Sequence, residues 1–122
     1  MSSAERAVLD WHESLSPAAV TDPIVVNGPR GAGSLTPAEF ADWVTRSGIS
    51  LRALALHPIS DRVVVVEQDA RWPASPSWTR VATVFRVSKD GSRVSAALRF
   101  PDLPSALAFA ALYAELAATE ES

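Results

Sequence analysis

His12 and His57 are the only two histidines, and they lie on different segments of the chain. Neither sits in an HxxxH or similar metal spacing, and with no cysteine the sequence offers no cysteine zinc site, disulfide or thiolate nucleophile. His12 reads as a residue of an amphipathic helix before it reads as a base. Glu67 and Asp69 share one face of a strand, as paired acid/base carboxylates would. That face carries more charge and is expected to point away from the core, as solvated or interface charge. Asp102 stands before Leu103-Pro104, where an aspartate suits a helix N-cap. It is also the best remaining candidate for an acid/base. Arg99 nearby could fix an anionic group or pair with Asp102. The run Gly28-Pro29-Arg30-Gly31-Ala32-Gly33 invites a phosphate reading. It lacks the Lys-Ser/Thr of a P-loop and the strand-to-helix setting of a dinucleotide site, so its glycines are read as allowing tight turns.

These residues need elements to hold them. Residues 3–15 read as a helix with Val8, Trp11, His12 and Leu15 at helical spacing, Ser2 or Ser3 as cap and Glu5 in the first turn. Residues 24–26, Ile-Val-Val, make a short strand, and residues 27–36 a Gly-rich loop. Thr36-Pro37-Ala38-Glu39 starts a second helix with Phe40, Trp43 and Val44 as its apolar stripe, which Gly48 ends. Four strands are expected over 49–58, 62–72, 78–87 and 93–100, joined by short turns, which suits an antiparallel meander. A last helix covers 103 to about 118, Ala-rich and apolar at Leu107, Ala111 and Leu112, before an acidic tail at 119–122 that is expected to be disordered. Helices on one side of a curved antiparallel sheet make an α+β fold of one domain spanning 1–122.

Strand alternation assigns faces. Val64, Val66, Gln68, Ala70 and Trp72 should meet the helices, as should Val81, Thr83, Phe85 and Val87. Leu51, Ala53, Ala55 and His57 share a side of the strand predicted over 49–58. In the last strand Val94, Ala96, Leu98 and Phe100 oppose Ser95, Ala97 and Arg99. The opposite sheet face would leave Val63, Val65, Ala82 and Val84 exposed on a monomer, which points to a homodimer through that outer face.

Eleven Lys and Arg against fourteen Asp and Glu give a net charge of -3, with no basic excess for nucleic acid or an anionic membrane. No apolar run approaches the roughly 20 residues of a membrane span. The start, MSSAERAVLDWHES, lacks a basic segment followed by an apolar one, so a cytoplasmic protein is the expectation.

The order of elements resembles the nuclear transport factor 2-like superfamily, and more narrowly the small SnoaL-like domain proteins of actinobacteria. The resemblance is carried by Leu9-Asp10-Trp11-His12, Asn27-Gly28-Pro29-Arg30-Gly31, Phe40-Ala41-Asp42-Trp43-Val44 and the segment from Val65 to Trp72. It continues in Val84-Phe85-Arg86-Val87, Asp90-Gly91, Leu98-Arg99-Phe100 and Asp102. It implies a cone-shaped, cystatin-like sheet whose mouth holds a small apolar ligand, and commonly a homodimer. The chain departs from the family between Ser16 and Pro23, where a second helix is usual. Matching the isomerases of the superfamily puts Asn27 at the base position, Thr83 at the enolate-stabilising acid and Trp11 at the tyrosine of the first helix. None of these titrates usefully near neutral pH, which argues against isomerase chemistry. The cyclases' aspartate near the end of the last strand falls near Asp102.

The resulting expectation is a small-molecule-binding protein. Its apolar or aromatic ligand would meet Trp11, Asn27, Trp43, Gln68, Trp72, Thr83, Phe85 and Arg99, with no metal and no cofactor. The alternatives are a cyclase-, isomerase- or hydrolase-type enzyme using Asp102 with Arg99 or His12, or an interaction domain whose cone is filled by its own side chains. On the first reading the 48% hydrophobic content serves a core, a pocket wall and a dimer face.

Overall fold

The computed structural model describes residues 1–28 and 31–120. Helix α1, Ser3–Ser14, opens with a reciprocal capping box between Ser2 and Glu5, and Leu15 closes it in the left-handed conformation. Ser16 then caps a single 3-10 turn, Pro17–Ala19, in the short segment where the family resemblance implies a full helix. Strands β1 (Val20–Gly28) and β2 (Gly31–Leu35) follow, then α2 (Pro37–Ser47), capped by the Thr36–Glu39 box and ended by Gly48 at φ 65°. Strands β3 (Ser50–Pro58), β4 (Val63–Arg71), β5 (Thr79–Val87) and β6 (Val94–Phe100) form the meander, and α3 (Leu103–Glu120) completes the chain. Thr119 and Glu120 of the tail expected to be disordered are the last turn of α3, and residues 121 and 122 lie outside the described residues.

The six strands form one curved sheet in the order β2-β1-β6-β5-β4-β3, antiparallel except for the β1–β6 pair. This is the expected α+β cone, with three local differences. The Gly-rich segment is not simply a loop. Gly31–Leu35 pairs with β1 from Ile24 opposite Leu35 to Gly28 opposite Gly31. Glycine has low strand propensity, but an edge position supplies ladder partners on one side, and pairing overrides propensity. Pro29 and Arg30, between the two strands, lie outside the described residues.

Two β-bulges also shift the predicted faces. Leu54 is the extra residue between Ala53 and Ala55, so His57 turns to the face opposite Leu51 and Leu56. Ser95 is extra between Val94 and Ala96, so Val94 belongs to the cluster under α1 and α2, while Leu98 belongs to the other one.

The largest correction concerns the outer face. Val63, Val65, Ala82 and Val84 are buried within the chain, packed with Ala106, Ala110 and Ala117 of α3. The sheet is a shared wall. One face carries Val64, Val66, Phe85 and Val87 against α1 and α2, and the other lies under α3. α3 thus covers the apolar part of that second face, so those four side chains are not exposed on the single chain. Alternation identified the apolar face, but it could not show that the last helix crosses to it.

Candidate functional site

A cavity of about 480 Å3 opens between α1, α2 and the concave face of the sheet. Trp11 and Phe40 stack at 5.8 Å between ring centroids, and Phe85 lies 5.7 Å from Trp11. Trp11, Phe40 and Phe85 are buried, whereas Trp43 and Trp72 are 42% and 36% exposed and stand at the mouth. The structure brings all eight expected pocket residues, Trp11, Asn27, Trp43, Gln68, Trp72, Thr83, Phe85 and Arg99, around this one space. Sequence reasoning passed over Phe40, Val44, Leu51 and Ala97 as wall residues. The α2 stripe of Phe40, Trp43 and Val44 was the available signal for the first two, and strand alternation for the others.

The polar wall is built from a directed chain of hydrogen bonds. His12 Nδ1 donates to the Val8 carbonyl at 2.7 Å, one helical turn back. A carbonyl can only accept, so neutral His12 carries its proton on Nδ1 and leaves Nε2 as an acceptor. Gln68 Nε2 donates to it at 2.8 Å, and the Thr83 hydroxyl donates to Gln68 Oε1 at 2.6 Å. Gln68 is fully buried, and its amide has a partner at each end. Burial pushes the His12 pKa below its ordinary value, partly offset by the Val8 carbonyl. His12 thus stands behind Gln68 as a neutral support for the wall.

Asn27 does different work from the one its position suggested. Its amide clasps the backbone of Arg99, with Nδ2 donating to the Arg99 carbonyl at 2.9 Å and Oδ1 accepting from the Arg99 N–H at 2.8 Å. The side chain stands in for a peptide unit where the parallel β1–β6 ladder stops after Val26–Ala97.

Arg99 lines the cavity with its guanidinium 5.7 Å from the Trp72 ring, and its buried Nε has no hydrogen-bond partner. Burial lowers the pKa of this side chain.

Asp102 lies elsewhere. Its carboxylate accepts from the Ser105 N–H at 2.8 Å, as the N-cap of α3, and this bond holds its pKa below the usual value. It is exposed and is not among the residues that line the cavity. Glu67 and Asp69 face away from the cavity in an ion-pair network. Arg80 reaches Asp69 at 3.0 Å and Glu67 at 3.7 Å, Arg52 reaches Asp69 at 3.5 Å, and His57 meets Glu67 at 3.1 Å. Arg52, Asp69 and Arg80 are direct cross-strand neighbours on β3, β4 and β5, which is why the three meet.

Among the described residues, no group of three or more His, Asp or Glu could hold a metal ion, and no helix is long and apolar enough to cross a membrane.

Neither a family model nor a curated protein sequence matches this chain. Solved structures do resemble it. An NTF2-like protein of unknown function from Cytophaga hutchinsonii superposes with a TM-score of 0.68 at 10% identity, over 84% of this chain and 92% of that one. A computationally designed 17-OHP binder gives 0.67 at 14%, over 85% and 94%. An LEH-like epoxide hydrolase of M. tuberculosis gives 0.64 at 18%, over 98% and 97%. At these identities the likeness establishes the fold, which is that of the nuclear transport factor 2-like proteins.

Proposed function

We propose that this chain is a small-molecule-binding protein of SnoaL-like type, whose cavity takes an apolar or aromatic ligand. The observation that carries the reading is the cavity itself. Its volume of about 480 Å3 lies in the range of small-molecule sites, roughly 300–1,000 Å3, and its wall is mostly apolar with a few fixed polar groups. A cone filled by its own side chains would not leave this space. The designed protein of the same fold is a 17-OHP binder, which supports such a cone as a ligand site.

The enzyme reading lacks a residue to carry it. Asp102 caps a helix, the Asn27 amide is engaged by a backbone, and His12 sits behind Gln68. No carboxylate is among the described residues that line the cavity.

Calorimetric titration with a neutral bicyclic probe, 2-naphthylmethanol, tests the reading. One saturable site per chain is expected. Ala97→Phe, which fills the space, should abolish binding, and Asp102→Ala should leave the affinity unchanged while lowering stability through loss of the cap. Binding that persists in the filled variant, or that requires Asp102, would count against it.

A further inference from the structure

Among the described residues that line the cavity, none is Asp or Glu and Arg99 is the one cation. Its Nε is the one buried side-chain nitrogen or oxygen among the described residues that lacks a hydrogen-bond partner. Other arginines are engaged: Arg46 with Asp42, Arg52 and Arg80 with Asp69, and Arg86 with Ser95. The nearest acid in sequence, Asp102, accepts from the Ser105 amide at the start of α3, and Glu67 and Asp69 are taken up on the opposite face. A buried donor of this kind is costly to leave without an acceptor.

From this arrangement we propose that Arg99 is the recognition residue for a carboxylate, and that the cavity's ligand is an aromatic or aliphatic monocarboxylic acid. The inference rests on the cavity being a ligand site, as argued above. A guanidinium presents paired N–H groups that match the two oxygens of a carboxylate. Nε itself is closed off from the cavity, so the terminal nitrogens make that contact. Among the described residues that line the cavity no second cation stands beside it, which suits a monoanion rather than a phosphate dianion. Trp72, beside the guanidinium, and the Trp11–Phe40–Phe85 cluster then receive the apolar body. Asn27 is the positioning residue. By clasping both the N–H and the carbonyl of Arg99 it fixes the peptide from which the guanidinium projects.

Isothermal titration of the full chain with 2-naphthoate and with 2-naphthylmethanol compares two probes that differ in the head group. The wild type should bind the carboxylate at least about tenfold more tightly, as a charge-assisted pair would require. Arg99→Gln should remove that preference, costing the carboxylate at least about tenfold more affinity than the alcohol, and Arg99→Lys should retain only part of it. Asn27→Ala should reduce the preference while the alcohol still binds.

Equal affinity of the wild type for both probes overturns the carboxylate site and leaves the ligand-binding reading standing. Equal weakening of both probes by Arg99→Gln assigns Arg99 a structural part and overturns the proposal. Failure of both probes to bind overturns the proposal and the ligand-binding reading together. The wild-type comparison is decisive even where a variant does not fold.

Discussion

Burial disfavours the charge on His12. Nδ1 donates to Val8 and Gln68 donates to Nε2, so a second proton would also require the Gln68 amide to turn over and exchange its bonds with His12 and Thr83. The consequence for stability has a definite sign. The folded state lowers the His12 pKa by burial, while an unfolded histidine titrates near about 6.5. The stabilisation is fully present above that value and is lost as pH falls through the folded-state pKa. The urea midpoint is therefore expected to hold from pH 8 to 7 and to fall from about pH 6.5 downward, and His12→Gln should flatten that slope. A slope that survives the substitution would belong to another group. Asp90, held at about 2 by Ser88 and Ser92, releases its share only in much stronger acid. Single residues were legible in the sequence where alternation alone placed them, as with Gln68, Thr83 and Phe85. The partners were not legible. Asn27 meets Arg99 across 72 positions and His12 meets Gln68 across 56, and no local pattern encodes such a contact.

At the scale of elements, local chemistry was the better guide. Both capping boxes, Ser2 with Glu5 and Thr36 with Glu39, form as their spacing requires. So does the left-handed stop at Gly48. Gly48 is constrained twice, because its φ is positive and a Cβ there would lie 2.5 Å from Pro73 Cγ. Gly48→Ala is expected to destabilise the protein by more than about 1 kcal/mol. Adding Pro73→Ala removes the clash but not the backbone cost, so chemical denaturation should show partial recovery in the double variant. Full recovery would mean that the backbone conformation costs nothing there. The β1–β2 hairpin and the bulges at Leu54 and Ser95 were not legible, since each depends on which strand lies alongside.

For the whole molecule, α3 settles how the apolar content is divided. The helix has no clear polar face, so its sequence did not say which side would pack. Of the stripe expected at Leu107, Ala111 and Leu112, Leu107 packs at the seam and the other two are exposed. Ala106, Ala110 and Ala117 meet the sheet, and Leu112 is 65% exposed. Small residues at the seam let the helix lie close to the strands. Ala110→Leu should therefore overpack the seam and cost about 1–3 kcal/mol. Leu112→Ser on the outward side should change stability by no more than about 0.5 kcal/mol. Urea unfolding of the two variants checks both, and the reverse ranking would mean that α3 lies on another face.

The valine run in β4 has a consequence for how the strand finds its place. Val63 and Val65 lie under α3, and Val64 and Val66 lie under α1 and α2. A slip of one residue would exchange valine for valine at three of those four positions, so hydrophobicity there says little about register. The next three residues say more. Slipped by one, β4 would turn Glu67 or Asp69 into the cavity and carry Gln68 away from His12 and Thr83. The polar wall of the cavity is thus also the reading frame of β4, and a chain that mispaired β4 would lose that wall.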